Sequence, residues 1–240
     1  MRLLLAILAC LATTSVFAND LLEPSLHIAK GGKGRPQVAL TLDACGGGTD
    51  MRIVDVLIEH KIPATLFLTR KWIVANPDVV KTLVAHPDLF ELEDHGADHI
   101  PPVLGTELVY GIKPAGTIEA VQAEVQGGAD ALLADTGVQS RWYRGATAKY
   151  SPAAVTLIKS MGLGIAGYSL NADYGASASV KVAEAQMNSA KDGDVIIAHM
   201  NQPKRKSGEG IAAGILALKA KGFKFVRLED VEAIGGDGAH

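Results

Sequence analysis

The sequence predicts an α/β fold built on a largely parallel sheet. Two observations lead there. Short apolar runs alternate with stretches of helical period, which is the pattern of βα units. Residues able to do chemistry then recur where those runs stop: Asp43 after the first, Arg144 at the end of the third, His199 after Val195-Ile-Ile-Ala198. In a βα barrel such strand ends share one face, where active sites gather.

Residues 1–18 read as a signal peptide. Met1-Arg2 gives the positive start, Leu3 to Leu11 the apolar stretch and Val16-Phe17-Ala18 the small-residue cleavage site. Cys10 after Leu8-Ala9 weakly imitates a lipoprotein site, and release after Ala18 is the preferred reading. Residues 19–35 form a lead-in, 36–232 a single catalytic domain, and 233–240 a glycine-rich, flexible tail.

Within the domain the expected strands are Val38–Leu42, Ala64–Leu68, Arg141–Arg144, Gly164–Leu170, Val195–Ala198 and Phe223–Val226. Asp50–His60 carries Ile53, Val54, Leu57 and Ile58 on one helical face. Asn76-Pro77 and Ser151-Pro152 each read as an N-cap followed by proline in the first helical position. The second of these helices stops at Gly162, and a last one, Gly210–Ala220, precedes Gly222.

Net charge is −3, which gives no basic footprint for nucleic acid. Beyond the leader only Cys45 remains, so no internal disulfide is available even though export is expected. The expected location is periplasmic or secreted, with no membrane span expected in the mature protein.

His95 and His99 are spaced to reach one metal ion from a single turn or tight loop. Asp43 closes an apolar run ahead of Cys45-Gly46-Gly47-Gly48, the way an α/β protein presents chemistry at a sheet edge. Taken singly, each has an ordinary competitor. A histidine pair can sit on a solvated turn, Asp43 can cap a turn, Arg144 can be a surface cation and His199 a satisfied strand-end histidine. Asn171-Ala-Asp173-Tyr-Gly is also common turn chemistry. His27, His60 and His86 receive no function.

The ordered set is what carries weight. Thr41-Leu-Asp43, His95-x-x-x-His99, Tyr143-Arg144, Asp173 and Ile196-Ile-Ala-His199 resemble, in sequence order, the motifs of the polysaccharide deacetylases of carbohydrate esterase family 4, also called the NodB homology domain. Ala64-Thr-Leu-Phe-Leu68 and Lys221-Gly-Phe-Lys-Phe-Val226 look like that family's framework strands. The resemblance implies a distorted (β/α) barrel and removal of N-acetyl groups from amino sugars of a polysaccharide, peptidoglycan or chitin-like. It implies a divalent metal, zinc first, on His95 and His99. Asp43 would be the base, Arg144 its aligner, His199 the acid and Asp173 the group fixing its tautomer. The amide of Thr147 would help bind the oxyanion. O-acetyl esters would yield to the same machinery.

Two departures stand out. Most members have two adjacent acids in the first motif, the second of which binds metal, whereas this chain has Asp43-Ala44. The third protein ligand is therefore open among Asp43, Cys45, Asp50, Asp98 or none, with Cys45 read first as a small side chain in a tight turn. The third motif reads Arg144-Gly-Ala-Thr147 where the family has prolines and an aromatic, and Pro101–Gly116 is a long loop beside the site. Lys204-Arg-Lys206 reads as a solvated basic loop. The rival functions are a non-catalytic glycan-binding protein on the same fold and a metal-independent amidase.

Overall fold

The apolar run that follows Pro36 forms the longest strand, and the sheet is laid out around it. The computed structural model describes residues 21–235. The expected signal peptide and residues 236–240 of the expected tail lie outside the described residues. In chain order the elements are β1 (Leu26–Ile28), β2 (Gln37–Ala44), α1 (Met51–Glu59), β3 (Ala64–Leu68), α2 (Arg70–Ala75), α3 (Pro77–Val84) and β4 (Phe90–Asp94). They continue with α4 (Ile118–Thr136), β5 (Trp142–Tyr143), α5 (Pro152–Ser160), β6 (Gly164–Ile165), β7 (Leu170–Asn171), α6 (Val180–Asn188), β8 (Val195–His199), α7 (Ser207–Ala220), β9 (Lys224–Val226) and β10 (Ala233–Gly235).

The main sheet runs β6-β5-β4-β3-β2-β8-β7, with β9 beside the first residues of β2. Every pairing in it is parallel. The sheet curls into a half-barrel with helices around it, which is the expected distorted (β/α) barrel. Strand alternation sorts β2 into two faces. Val38, Leu40, Leu42 and Ala44 join Ile53 and Leu57 of α1 and Ile211 and Ile215 of α7 in the outer core. Ala39 faces inward, in a cluster with Phe67, Val195 and Val226.

That inner cluster also contains Leu26 and Ile28, so the lead-in is structural. β1 pairs antiparallel with β10, Leu26 opposite Gly235, so β1 packs on the inner cluster and β10 lies outside it, half-buried to exposed. The flexible tail expected from 233 is therefore corrected at its start: burial of Leu26 and Ile28 gives β10 a partner strand to zip against.

Other differences have local causes. β4 is absent from the expected strands because Phe90-Glu-Leu-Glu-Asp94 carries three acids, yet Phe90 and Leu92 fill the outer core while Glu91 and Glu93 are buried behind them. α4 is likewise absent, since Glu124 and Gly128 occupy its buried stripe with Val121, Val125 and Leu132. Gly164–Leu170 is two short strands instead of one. The intervening carbonyls of Ala166 and Gly167 accept from the Arg144 side chain. Both prolines stand at the helix starts, but Asn76 and Ser151 make no side-chain cap. Asn76 Nδ2 donates to Gly47 and Trp72 carbonyls, and Ser151 Oγ accepts from Leu104 N. Among the described residues no helix is long and apolar enough to cross a membrane.

Candidate active site

Period-two alternation that sends Ala44 outward turns Thr41 and Asp43 inward, toward a cavity of about 1080 Å³ that Asp43 lines. Asp43 is 3 % exposed and so needs a partner. It finds one in Arg144, delivered just past β5, whose Nη1 donates to Asp43 Oδ1 at 2.8 Å and to Thr41 Oγ1 at 2.8 Å.

Arg144 is itself fully buried, and each of its other nitrogens has a partner: Nε meets the Ala166 carbonyl at 3.1 Å and Nη2 the Gly167 carbonyl at 2.9 Å. Its Cζ stands 4.2 Å from the centroid of the Phe67 ring. Burial alone would raise the Asp43 carboxyl, but the Arg144 charge, with His95 and His199, holds it below its ordinary value. A carboxylate gripped this way stays ionised and has one oxygen fixed.

His95 follows the last residue of β4. Its Nδ1 donates to the Arg144 carbonyl at 2.6 Å, which fixes the tautomer and leaves Nε2 facing Cys45 Sγ at 3.5 Å and Asp43 Oδ2 at 3.7 Å. Burial works against its charge, but Asp43 and Cys45 push the imidazole up to about 9. His99 adopts a left-handed backbone (φ 63°), and its ring centroid lies 5.0 Å from that of His95.

The loop between the two histidines is held by Glu124 of α4. Its carboxylate accepts from Asp98 N at 2.9 Å and Ile100 N at 3.0 Å, and its carbonyl accepts from Ala97 N. A side chain at Gly128 would come within 2.1 Å of Asp94 Oδ1, so glycine is what lets α4 approach this loop. Glu124 carries no motif signature; its only sequence signal is an acid placed on an otherwise apolar helical stripe.

His199 ends β8 directly opposite Asp43, with which it is in register. Asp173, fully buried, accepts from His199 Nδ1 at 2.9 Å and from His199 N at 2.8 Å. Burial opposes the imidazolium, yet Asp173 holds His199 well above its ordinary 6.5. With Nδ1 committed to Asp173, His199 lines the cavity. Thr147 lines the cavity in a left-handed conformation (φ 69°).

The open candidates for a third metal ligand are sorted by their partners. Asp50 caps α1 and forms an ion pair with Arg52, Nη2 to Oδ2 at 2.6 Å. Asp98 pairs with Arg70 at 2.7 Å. Ala44 is fully buried in the outer core, pointing away from the cavity.

Cys45, by contrast, follows Asp43 by two residues and lines the cavity. Its carbonyl accepts from Thr69 Oγ1, and the next carbonyl, of Gly46, accepts from Asn201 Nδ2. Burial favours the neutral thiol, but hydrogen bonding with His199, His95 and His99 holds it well below its ordinary 9.0. Among the described residues, the donor atoms of Cys45, His95 and His99 form one group lying within 4.8 Å of one another. Thiolate and imidazole donors in that arrangement fit a zinc-type ion.

Loop Pro101–Gly116 brings Tyr110 and Ile112 to the cavity rim, and Tyr174 lines it as well. Tyr110 and Tyr174 are exposed aromatics that the motif reading passed over. From the basic loop, Arg205 reaches the cavity, held by its Nη1 on the Gly175 carbonyl, while Lys204 and Lys206 are exposed.

Residues 30–166 match the family model described as polysaccharide deacetylase. Among solved structures the chain is similar to a CE4 family pseudoenzyme from Bacillus anthracis, at 20 % identity and a TM-score of 0.67, covering 84 % of this chain and 67 % of that one. It is also similar to PdaA of Bacillus subtilis, a family 4 carbohydrate esterase, at 22 % identity and a TM-score of 0.67, covering 84 % and 82 %. A family 4 carbohydrate esterase from Streptomyces lividans, in complex with acetate, gives 18 % identity and a TM-score of 0.65 over 82 % and 93 %. At these identities the likeness speaks to fold alone. No curated protein sequence matches the chain.

Proposed function

The chain belongs to the polysaccharide deacetylase family, and from that premise we propose that it is an exported, metal-dependent hydrolase removing N-acetyl groups from amino sugars of a polysaccharide. Peptidoglycan and chitin-like glycans are the substrate class. The observation that carries this reading is the pair of dyads, Arg144–Asp43 and Asp173–His199, facing one cavity beside three metal-type donors.

Each residue has a task that its contacts allow. His95 and His99 hold the ion, His95 through the Nε2 that its bond to the Arg144 carbonyl leaves available. When bound, a divalent ion supplies Lewis-acid polarisation of the acetyl carbonyl and acidifies the attacking water. Asp43, with Oδ1 tied to Arg144, takes the water's proton on Oδ2. His199 gives a proton from Nε2 to the departing amine while Asp173 holds its Nδ1–H. The Thr147 amide supports the developing oxyanion. The cavity is at the upper end of ligand-cleft sizes and suits an oligosaccharide better than a small monomer.

The test measures zinc content and acetate release from N-acetylglucosamine oligomers and peptidoglycan. The expected result is near-stoichiometric zinc, acetate release, and loss of turnover in Asp43→Asn with glycan binding retained. Glycan binding with no acetate release from the zinc-loaded wild type would instead support the non-catalytic reading, and turnover undiminished by metal removal the metal-independent one.

A further inference from the structure

We infer that Cys45 is the third protein ligand of the metal site, so that a Cys–His–His set takes zinc or cobalt(II) and discriminates against magnesium and calcium. This rests on the metal-dependent reading above and goes beyond it in naming the ligand and the ion class.

Geometry singles out the sulfur. Alternation along β2 turns Ala44 outward, and Cys45 beyond it returns to the cavity side with Asp43. A carboxylate at position 44 would therefore point into the apolar core, and the missing acid of the family pattern is replaced one residue later. Cys45 Sγ is 3.5 Å from the His95 nitrogen left over after Nδ1 is committed to a carbonyl, and His99 completes a group spanning no more than 4.8 Å.

The competing carboxylates have other engagements. Asp50 is committed to a helix cap and to Arg52, Asp98 is half-exposed and paired with Arg70, and Asp43 has Oδ1 on Arg144 and Oδ2 kept for the proton of the attacking water. Three protein ligands are what an open catalytic zinc site uses, the fourth position going to water or substrate. A thiolate also supplies the single negative charge that the absent carboxylate would have brought, but as a soft donor. Magnesium and calcium, which require oxygen ligands, gain little from it.

The protein is freed of metal and titrated with cobalt(II), then with zinc in competition against excess magnesium. The expected wild-type result is one cobalt per chain with a sulfur-to-cobalt charge-transfer band in the near ultraviolet. Zinc, but not magnesium, should displace the cobalt. In Cys45→Ser, whose fold is checked by circular dichroism, the band should vanish and zinc affinity fall by more than about 100-fold, since even residues that only orient a ligand cost 10- to 100-fold. Peptide mapping should show zinc protecting Cys45 from alkylation. Cobalt bound without a sulfur band, lost in His95→Ala and unchanged in Cys45→Ser, overturns the assignment while leaving the metal-dependent reading intact. Failure of the wild type to bind cobalt or zinc at all overturns both.

Discussion

Replacing Glu93 with glutamine should stabilise the protein strongly at pH 8 and only slightly near pH 5. Glu93 lies on β4, 2 % exposed and outside the cavity lining, with Oε2 accepting from Ser140 Oγ, Arg141 N and Trp142 N, each at 2.8 Å. Its neighbour Glu91 is buried too, accepting from Thr65 Oγ1 and Glu229 N. Burial, reinforced by the Glu91 charge, pushes Glu93 from 4.5 up to about 8.

A folded-state pKa above the unfolded one means that the native protein keeps a proton which the unfolded chain releases. Stability is therefore full below pH 4.5, falls as pH rises toward 8, and levels off above it. At about 1.4 kcal/mol per pH unit the interval corresponds to roughly 5 kcal/mol, or about 10–20 °C in Tm for a domain of this size. Glutamine keeps an oxygen for the three donors and mimics the protonated acid, so it removes the slope. The assay is thermal unfolding by circular dichroism from pH 5 to 8.5 at fixed ionic strength, read as variant minus wild type to cancel the histidines. Parallel Tm profiles for the two proteins would refute the reasoning.

Two further outcomes follow from packing. Ala44→Asp should lose about 3 kcal/mol or more, because it places a carboxylate among Val38, Leu40 and Leu42, and it should not tighten zinc binding; denaturant unfolding with a zinc titration checks both, and tighter zinc would mean residue 44 can face the cavity. Gly128→Ala should destabilise by about 1–3 kcal/mol even though alanine favours a helix by about 1 kcal/mol, since its Cβ would sit 2.6 Å from the Gly96 backbone. The displaced loop should also bind zinc more weakly, and a variant as stable and as tight as wild type would contradict this.

Much of the framework was legible because pattern and environment agree. Ala64–Leu68 and Val195–Ala198 are apolar runs that are buried on both faces, and each became a strand at the expected place. What escaped notice lies where polar residues are buried in pairs. Glu91 and Glu93 disguise β4 as surface, and Glu124 with Gly128 interrupts the stripe that would mark α4. Their partners are far away in sequence, so no local window reveals them. The dyad residues could be named from their order along the chain, but the commitment of Asp50 to Arg52 and of Asp98 to Arg70 is a matter of three dimensions. Cys45 was half legible: alternation from Asp43 already gives its facing, while its distance to two histidines does not follow from spacing.

The antiparallel pairing of β1 with β10 joins the beginning of the described fold to its end. The loop it closes is about as long as those closed by β2 with β8 and β9 at the centre of the sheet, so the fold rests throughout on contacts between its two ends. Removing β1 would leave Ala39, Phe67 and Val195 without the cover of Leu26 and Ile28, an apolar patch prone to association. The same adjacency makes the molecule a candidate for circular permutation, with the two strands fused by a short linker and new termini opened in the exposed turn around Glu107.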